Sequence, residues 1–167
     1  INGFIDIPTY AAGEILFPKI SKASVEDGTD KVKYLYEKMV SVLLAFITPL
    51  AIFVILCPEL IIQIIAGSQY VAAAPILRLY MLASLFGPMQ NQAANVLNSI
   101  NKPGLCFTIN TISLCLKLLI GFMCLYYIGF YGAAIGTLIT AIFSGILWYF
   151  IIQKQIGSQF KNILTHM

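Results

Sequence analysis

The stretch that decides the fold runs from Leu105 to Gln153: LCFTINTISLCLKLLIGFMCLYYIGFYGAAIGTLITAIFSGILWYFIIQ. It holds one charged residue, Lys117, in 49 positions. A membrane-spanning helix needs about 20 apolar residues. The stretch is therefore too long for one span and right for a hairpin of two, 105–126 and 130–152. The break belongs at Tyr127-Ile128-Gly129-Phe130.

The rest of the chain has the same character. Of 167 residues 59% are hydrophobic and 10% charged, and the mean hydropathy is +0.87. An ordinary soluble domain carries about 25% charge, which it needs to cover its surface. These values exclude a disordered chain and almost every soluble enzyme. No basic stripe or aromatic-basic interleaving exists, so nucleic acid is not a partner. The cysteines Cys57, Cys106, Cys115 and Cys124 sit in apolar runs without a CxxC, and the one histidine is His166. No metal site, cofactor motif, nucleophile elbow or phosphate-binding glycine loop is present, and an enzyme is not expected.

Before the hairpin, Lys102-Pro103-Gly104 is a turn. Residues 72–101 read as one span, with Arg78 near its start and Pro88 in its middle. Residues 39–57 are uncharged and long enough to cross, kinked at Pro49. Between them, Pro58-Glu59 breaks the pattern, and LIIQIIAG suggests a short interfacial helix ending at Gly67. Residues 1–20 read as the end of a further helix stopping near Pro18; the opening on Ile1 suggests a fragment. Residues 19–38 read as a polar connector, in which Thr29 or Asp30 caps a short amphipathic helix feeding the next span. The expectation is an all-α polytopic bundle of about four full spans and one partial span.

The cations fix an orientation. Connectors 19–38, 99–104 and 153–167 hold eight of the ten Lys and Arg residues, whereas 58–71 and 126–131 hold none. The alternation matches the positive-inside rule and puts the lysine-rich connectors and the C-terminal tail in the cytoplasm.

Polar groups at membrane depth need a partner or a wet cavity. Ser84, Asn91, Asn95, Asn98 and Lys102 lie at helical spacing, as do Asn110, Ser113, Lys117, Gly121 and Cys124. Two such stripes on consecutive helices suggest either a shared hydrophilic cavity or interhelical hydrogen-bonding. Lys117 lies mid-span, where a lysine costs roughly 2.5–3.5 kcal/mol on insertion scales, and this favours a cavity. Arg78 fits substrate binding and snorkelling equally. Gly132, Gly136, Thr140 and Ser144 recur every fourth residue and read as a packing face. Trp148, Tyr149 and Phe150 read as an interfacial aromatic belt.

Four ordered motifs then resemble one family. They are Ile15-Leu16-Phe17-Pro18-Lys19-Ile20-Ser21-Lys22; Ala66-Gly67-Ser68-Gln69-Tyr70 with Ala74-Pro75-Ile76-Leu77-Arg78-Leu79; Val96-Leu97-Asn98-Ser99-Ile100-Asn101-Lys102-Pro103; and Gly129-Phe130-Tyr131-Gly132-Ala133-Ala134-Ile135-Gly136-Thr137. Together they are similar to the polysaccharide flippases of O-antigen and exopolysaccharide type, relatives of the lipid II flippases and of the multidrug and toxin exporters. The resemblance implies two helical lobes around a central cavity, working by alternating access in the cytoplasmic membrane. The chain would be most of the second lobe, with the N-terminal lobe as its partner. The implied cargo is an undecaprenyl-pyrophosphate-linked oligosaccharide, with a polysaccharide polymerase as a further partner. Lys117 and Arg78 would meet the pyrophosphate. Asn91, Asn95, Asn98 and Asn110 complete the candidate binding set. A cation-coupled drug antiporter of the same superfamily would want a buried acid, which spans 39–57 and 72–153 lack. A non-transporting membrane scaffold is the third reading.

Overall fold

The computed structural model describes residues 9, 11, 13–15, 17–23 and 28–157, and all of its regular elements are helices. The described residues between 9 and 23 are helical. After them come α1 (Thr29–Leu56), α2 (Pro58–Ile65), a 3-10 turn (Ser68–Ala73), α3 (Ala74–Ser84), α4 (Gly87–Ser99), α5 (Pro103–Ile128) and α6 (Phe130–Ile156). Among the described residues four stretches, Thr29–Leu56, Ser68–Ser99, Pro103–Ile128 and Phe130–Ile156, are long and apolar enough to cross a membrane. The chain is an all-α, multi-pass membrane bundle. The tail from 158 onward, His166 included, lies outside the described residues.

The connector read at 19–38 is mostly helix. Residues 17–23 are helical, and α1 begins at Thr29 rather than near Met39. Neither Thr29 nor Asp30 caps it; the N-cap is Gly28, with φ 79° and no side-chain hydrogen bond to the helix. Charges outside the hydrocarbon do not oppose helix formation, so the helix runs on past the apolar window that hydropathy detects. At 28 residues it measures about 42 Å at 1.5 Å per residue.

The span read as one helix over 72–101 is broken at Leu85 and Phe86. Proline at position 88 has no N–H for the carbonyl of Ser84 and its ring crowds the preceding turn, so the helix ends and restarts at Gly87.

α6 packs on α5, α3 and α4, while α1 packs on α4 and α3. One core cluster joins Ile20, Ala23, Val32, Tyr36, Val96, Leu97, Trp148 and Ile152; a second joins Leu43, Ile47, Val54 and Met81. Trp148 is thus buried in the core rather than part of an interfacial belt, while Phe150 is exposed. Its four-residue spacing with Ile152 and Ile156 puts all three on the core face of α6.

The bundle ends differ in charge. At one end Lys102 Nζ donates to Gln155 Oε1, and Thr29, Asn101 and Ile156 line the same hollow. This gathers the starts of α1 and α5 and the end of α6 at the lysine-rich end. At the other end the Tyr131 hydroxyl donates to the carbonyl of Ala72, 3.4 Å away.

Candidate functional site

The α5–α6 hairpin turns on Gly129, whose φ of 76° suits glycine. Beyond the turn the two helices are in backbone contact. A Cβ built on Gly132 would lie 1.9 Å from the carbonyl oxygen of Cys124, and one on Gly136 would lie 3.1 Å from the Cα of Gly121. Further from the turn the same stripe changes role. Thr140 and Ser144 line a cavity of about 390 Å³ together with Ser84, Gln90, Ser113 and Lys117. The glycines have no side chains to hold the helices apart. The hydroxyl residues, with Ser113 and Lys117 opposite, do have them, so the hairpin is closed at one level and open at the next.

The cavity walls come from three spans. Ser144 Oγ donates to Gln90 Oε1 over 3.1 Å and lies 3.3 Å from Ser113 Oγ. Gln90 Nε2 donates to the carbonyl of Ala141 over 3.3 Å. This chain of bonds ties α4, α5 and α6 together, and such bonds are a recurrent means of joining helices in lipid. Thr140 bonds back to the carbonyl of Gly136 and adds no cross-link.

Lys117 is the cavity's cation. It stands about 21 Å along α5 from Pro103 and about 16 Å from Ile128. Its side chain is exposed by this chain and makes no hydrogen bond or ion pair with any described residue. None of the described residues lining the cavity is acidic.

The other expected residues lie elsewhere. Arg78 Nη2 donates to Glu59 Oε1 over 2.8 Å, in an ion pair whose side chains are 45% and 49% exposed. Asn91 and Asn95 line a different cavity, against Thr9, Gly13, Glu14 and Phe17. Asn98 is exposed outside both cavities. Asn110 is exposed on α5, with Nδ2 3.6 Å from Cys106 Sγ. The two polar stripes therefore do not meet along their lengths. Ser84, Ser113 and Lys117 come together, and the four asparagines stay outside their cavity. Gln90, Thr140 and Ser144 take part although the sequence did not single them out as a binding surface.

Comparison with known proteins adds an independent line. The family model described as lipid II flippase MurJ matches residues 7–167. An uncharacterized membrane protein of Methanocaldococcus jannaschii is 28% identical over 153 residues, which are 92% of this chain and 30% of that protein. The chain thus spans about a third of the length of that relative. No solved structure matches it.

Proposed function

The chain belongs to the MurJ family of lipid II flippases, and from that premise we propose that it serves in moving an undecaprenyl-pyrophosphate-linked oligosaccharide across the cytoplasmic membrane. Flippases of this family transport a lipid-linked precursor and are not enzymes. The oligosaccharide cargo, of the kind used for cell-surface polysaccharide, is supported by the four motifs shared with polysaccharide flippases. The chain would act as part of a second lobe, facing a first lobe across the transport path. Its lysine-rich end would lie in the cytoplasm.

One observation carries the reading: Lys117 stands at mid-span in a polar cavity with no acid to pair with among the described residues. A pyrophosphate entering a bilayer loses its hydration, and a cation within reach offsets that loss. An unpaired lysine at this depth raises the cost of inserting α5, which such a ligand would repay. Ser84, Gln90, Ser113, Thr137, Thr140 and Ser144 line the same space and offer hydroxyl and amide groups to sugar hydroxyls. That none of the described lining residues is acidic favours this anionic cargo over a cationic drug. Arg78, held by Glu59, serves here as a structural partner at the lysine-free end rather than as a second phosphate ligand.

The test is Lys117→Ala in the flippase, in a strain whose surface polysaccharide depends on it. Losing one charge-assisted bond of about 1.5–3 kcal/mol lowers affinity for the pyrophosphate roughly 10- to 150-fold. Export should fail at normal protein levels, and Lys117→Arg should restore part of it. Normal export by Lys117→Ala would overturn the assignment.

A further inference from the structure

At the lysine-free end the turn between α5 and α6 meets the 3-10 turn around a pocket of about 270 Å³. Gln69, Tyr70, Ala72 and Ile76 wall it on one side, Phe130 and Tyr131 on the other. Two of the four sequence motifs, the one through Gly67 and Tyr70 and the one starting at Gly129, thus converge on one spot although they are far apart in the chain.

The two walls are built alike. Each starts on a glycine of positive φ, 97° at Gly67 and 76° at Gly129. Three residues on, a backbone N–H closes the turn on the glycine carbonyl: Tyr70 donates to Gly67 over 3.2 Å, and Gly132 to Gly129 over 2.8 Å. The aromatic residues therefore stand in the first turn of each element, held by its backbone at the end of the bundle. Tyr131 joins the walls, because its hydroxyl donates to the Ala72 carbonyl.

The chemistry of the lining is narrow. None of the described residues that line the pocket is charged, and the nearby Arg78 and Glu59 are paired with each other. A phosphate or a metal ion finds no counter-charge here. The rings of Tyr70, Phe130 and Tyr131 are exposed. The Gln69 amide and the Tyr70 hydroxyl make no hydrogen bond with any described residue. An acyl chain asks for walls without such groups, like those of Phe86, Met89, Gly145 and Ile146 between α4 and α6. A pyranose ring asks for both kinds of surface. Its axial C–H groups lie against aromatic faces through weak contacts, and its hydroxyls donate to and accept from amides and hydroxyls. Small-molecule pockets start at about 300 Å³, so this one takes a single small unit rather than a long chain. An interfacial aromatic anchors in lipid by itself; here three rings and an amide line one hollow.

We propose that Gln69, Tyr70, Phe130 and Tyr131 form a docking site for one neutral pyranose unit, held by contact with the rings and by the free amide and hydroxyl. The site rests on the reading above that the cargo carries a glycan, and it gives that glycan a resting place at the end of the bundle away from the lysines. Sugar and pyrophosphate are then read by separate parts of the chain, the second by Lys117.

The experiment is saturation-transfer difference NMR on the full-length flippase in lipid nanodiscs, free of glycoside detergents. The probes are the methyl glycosides of glucose, galactose, rhamnose and N-acetylglucosamine. Inorganic pyrophosphate, followed by its ³¹P line width, is the separate probe of Lys117. At least one glycoside should receive saturation at its ring C–H protons. Phe130→Leu keeps an apolar side chain at an exposed position but removes the aromatic face, and should weaken that glycoside roughly fivefold. Phe130→Trp should preserve binding, and Gln69→Ala should weaken it severalfold. Lys117→Ala should leave glycoside binding unchanged and weaken pyrophosphate, which Phe130→Leu leaves alone. Circular dichroism on each variant verifies that the helices persist. Binding of none of the glycosides, or equal binding by Phe130→Leu as for rings seated in lipid, overturns the docking site. Pyrophosphate binding untouched by Lys117→Ala overturns the cargo reading instead, so the two failures are told apart.

Discussion

Replacing Gly132 with alanine should loosen the α5–α6 hairpin more than any other single methyl added to it. The new Cβ would fall 1.9 Å from the carbonyl oxygen of Cys124 and 2.4 Å from its carbonyl carbon. Both are backbone atoms, so no side chain can rotate away, and α6 must move off α5 by more than about 1 Å to restore ordinary contact. Overpacking of this kind costs up to about 3 kcal/mol. The alanine also returns up to about 1 kcal/mol of helix propensity, which leaves a net loss of about 2 kcal/mol. Gly136→Ala meets Gly121 Cα at 3.1 Å, a far smaller overlap, and should come out near neutral. The assay is reversible unfolding in mixed micelles, followed by the fluorescence of Trp148, the one tryptophan and a buried one. The reasoning fails if Gly132→Ala unfolds like the wild type, or if Gly136→Ala is the more damaging of the two.

Three more outcomes follow from the packing. Gln90→Leu removes the bonds to Ala141 and Ser144 and should cost about 1 kcal/mol, since interhelical hydrogen bonds in membranes average about 0.6 kcal/mol each; a loss above 3 kcal/mol in the same unfolding assay would contradict it. Arg78 and Glu59, both about half exposed, should show a coupling below about 1 kcal/mol in a double-mutant cycle, weakening further in high salt. Trp148→Ala empties a core position and should cost about 3–5 kcal/mol, read by thermal unfolding with circular dichroism.

The bundle was legible because charge is so scarce that each break in the apolar runs shows. In the structure α5 starts at Pro103, directly after Lys102, and Gly129 separates it from α6. Lys117 was legible for the same reason: a lone cation in an apolar stretch is visible without any structure. Its surroundings were not. The stripe through Ser84 and Asn91 assumes seven residues of continuous helix, but the break ahead of Pro88 resets the angular register. Ser84 ends up beside Lys117 and Asn91 on the far side of α4. Gln90, next to an asparagine that fitted the stripe better, was hidden by that same slip. Thr140 and Ser144 were masked by the glycines preceding them, because a four-residue spacing of small residues does not reveal where two helices part.

The glycine seam has a mechanical consequence. With backbone against backbone at Gly132 and Gly136, α5 and α6 have little freedom to slide past one another, so the hairpin moves as a single lever arm. Lys117 on one limb and Thr140 and Ser144 on the other then keep their spacing through any swing. The wall contributed by α4 is joined to α3 through the break at Leu85 and Phe86 and meets the hairpin through side chains rather than backbone. On the transport reading proposed above, the cavity would change shape by a shift of that wall against the lever, and the bonds from Gln90 to Ala141 and Ser144 would be the clasp that opens.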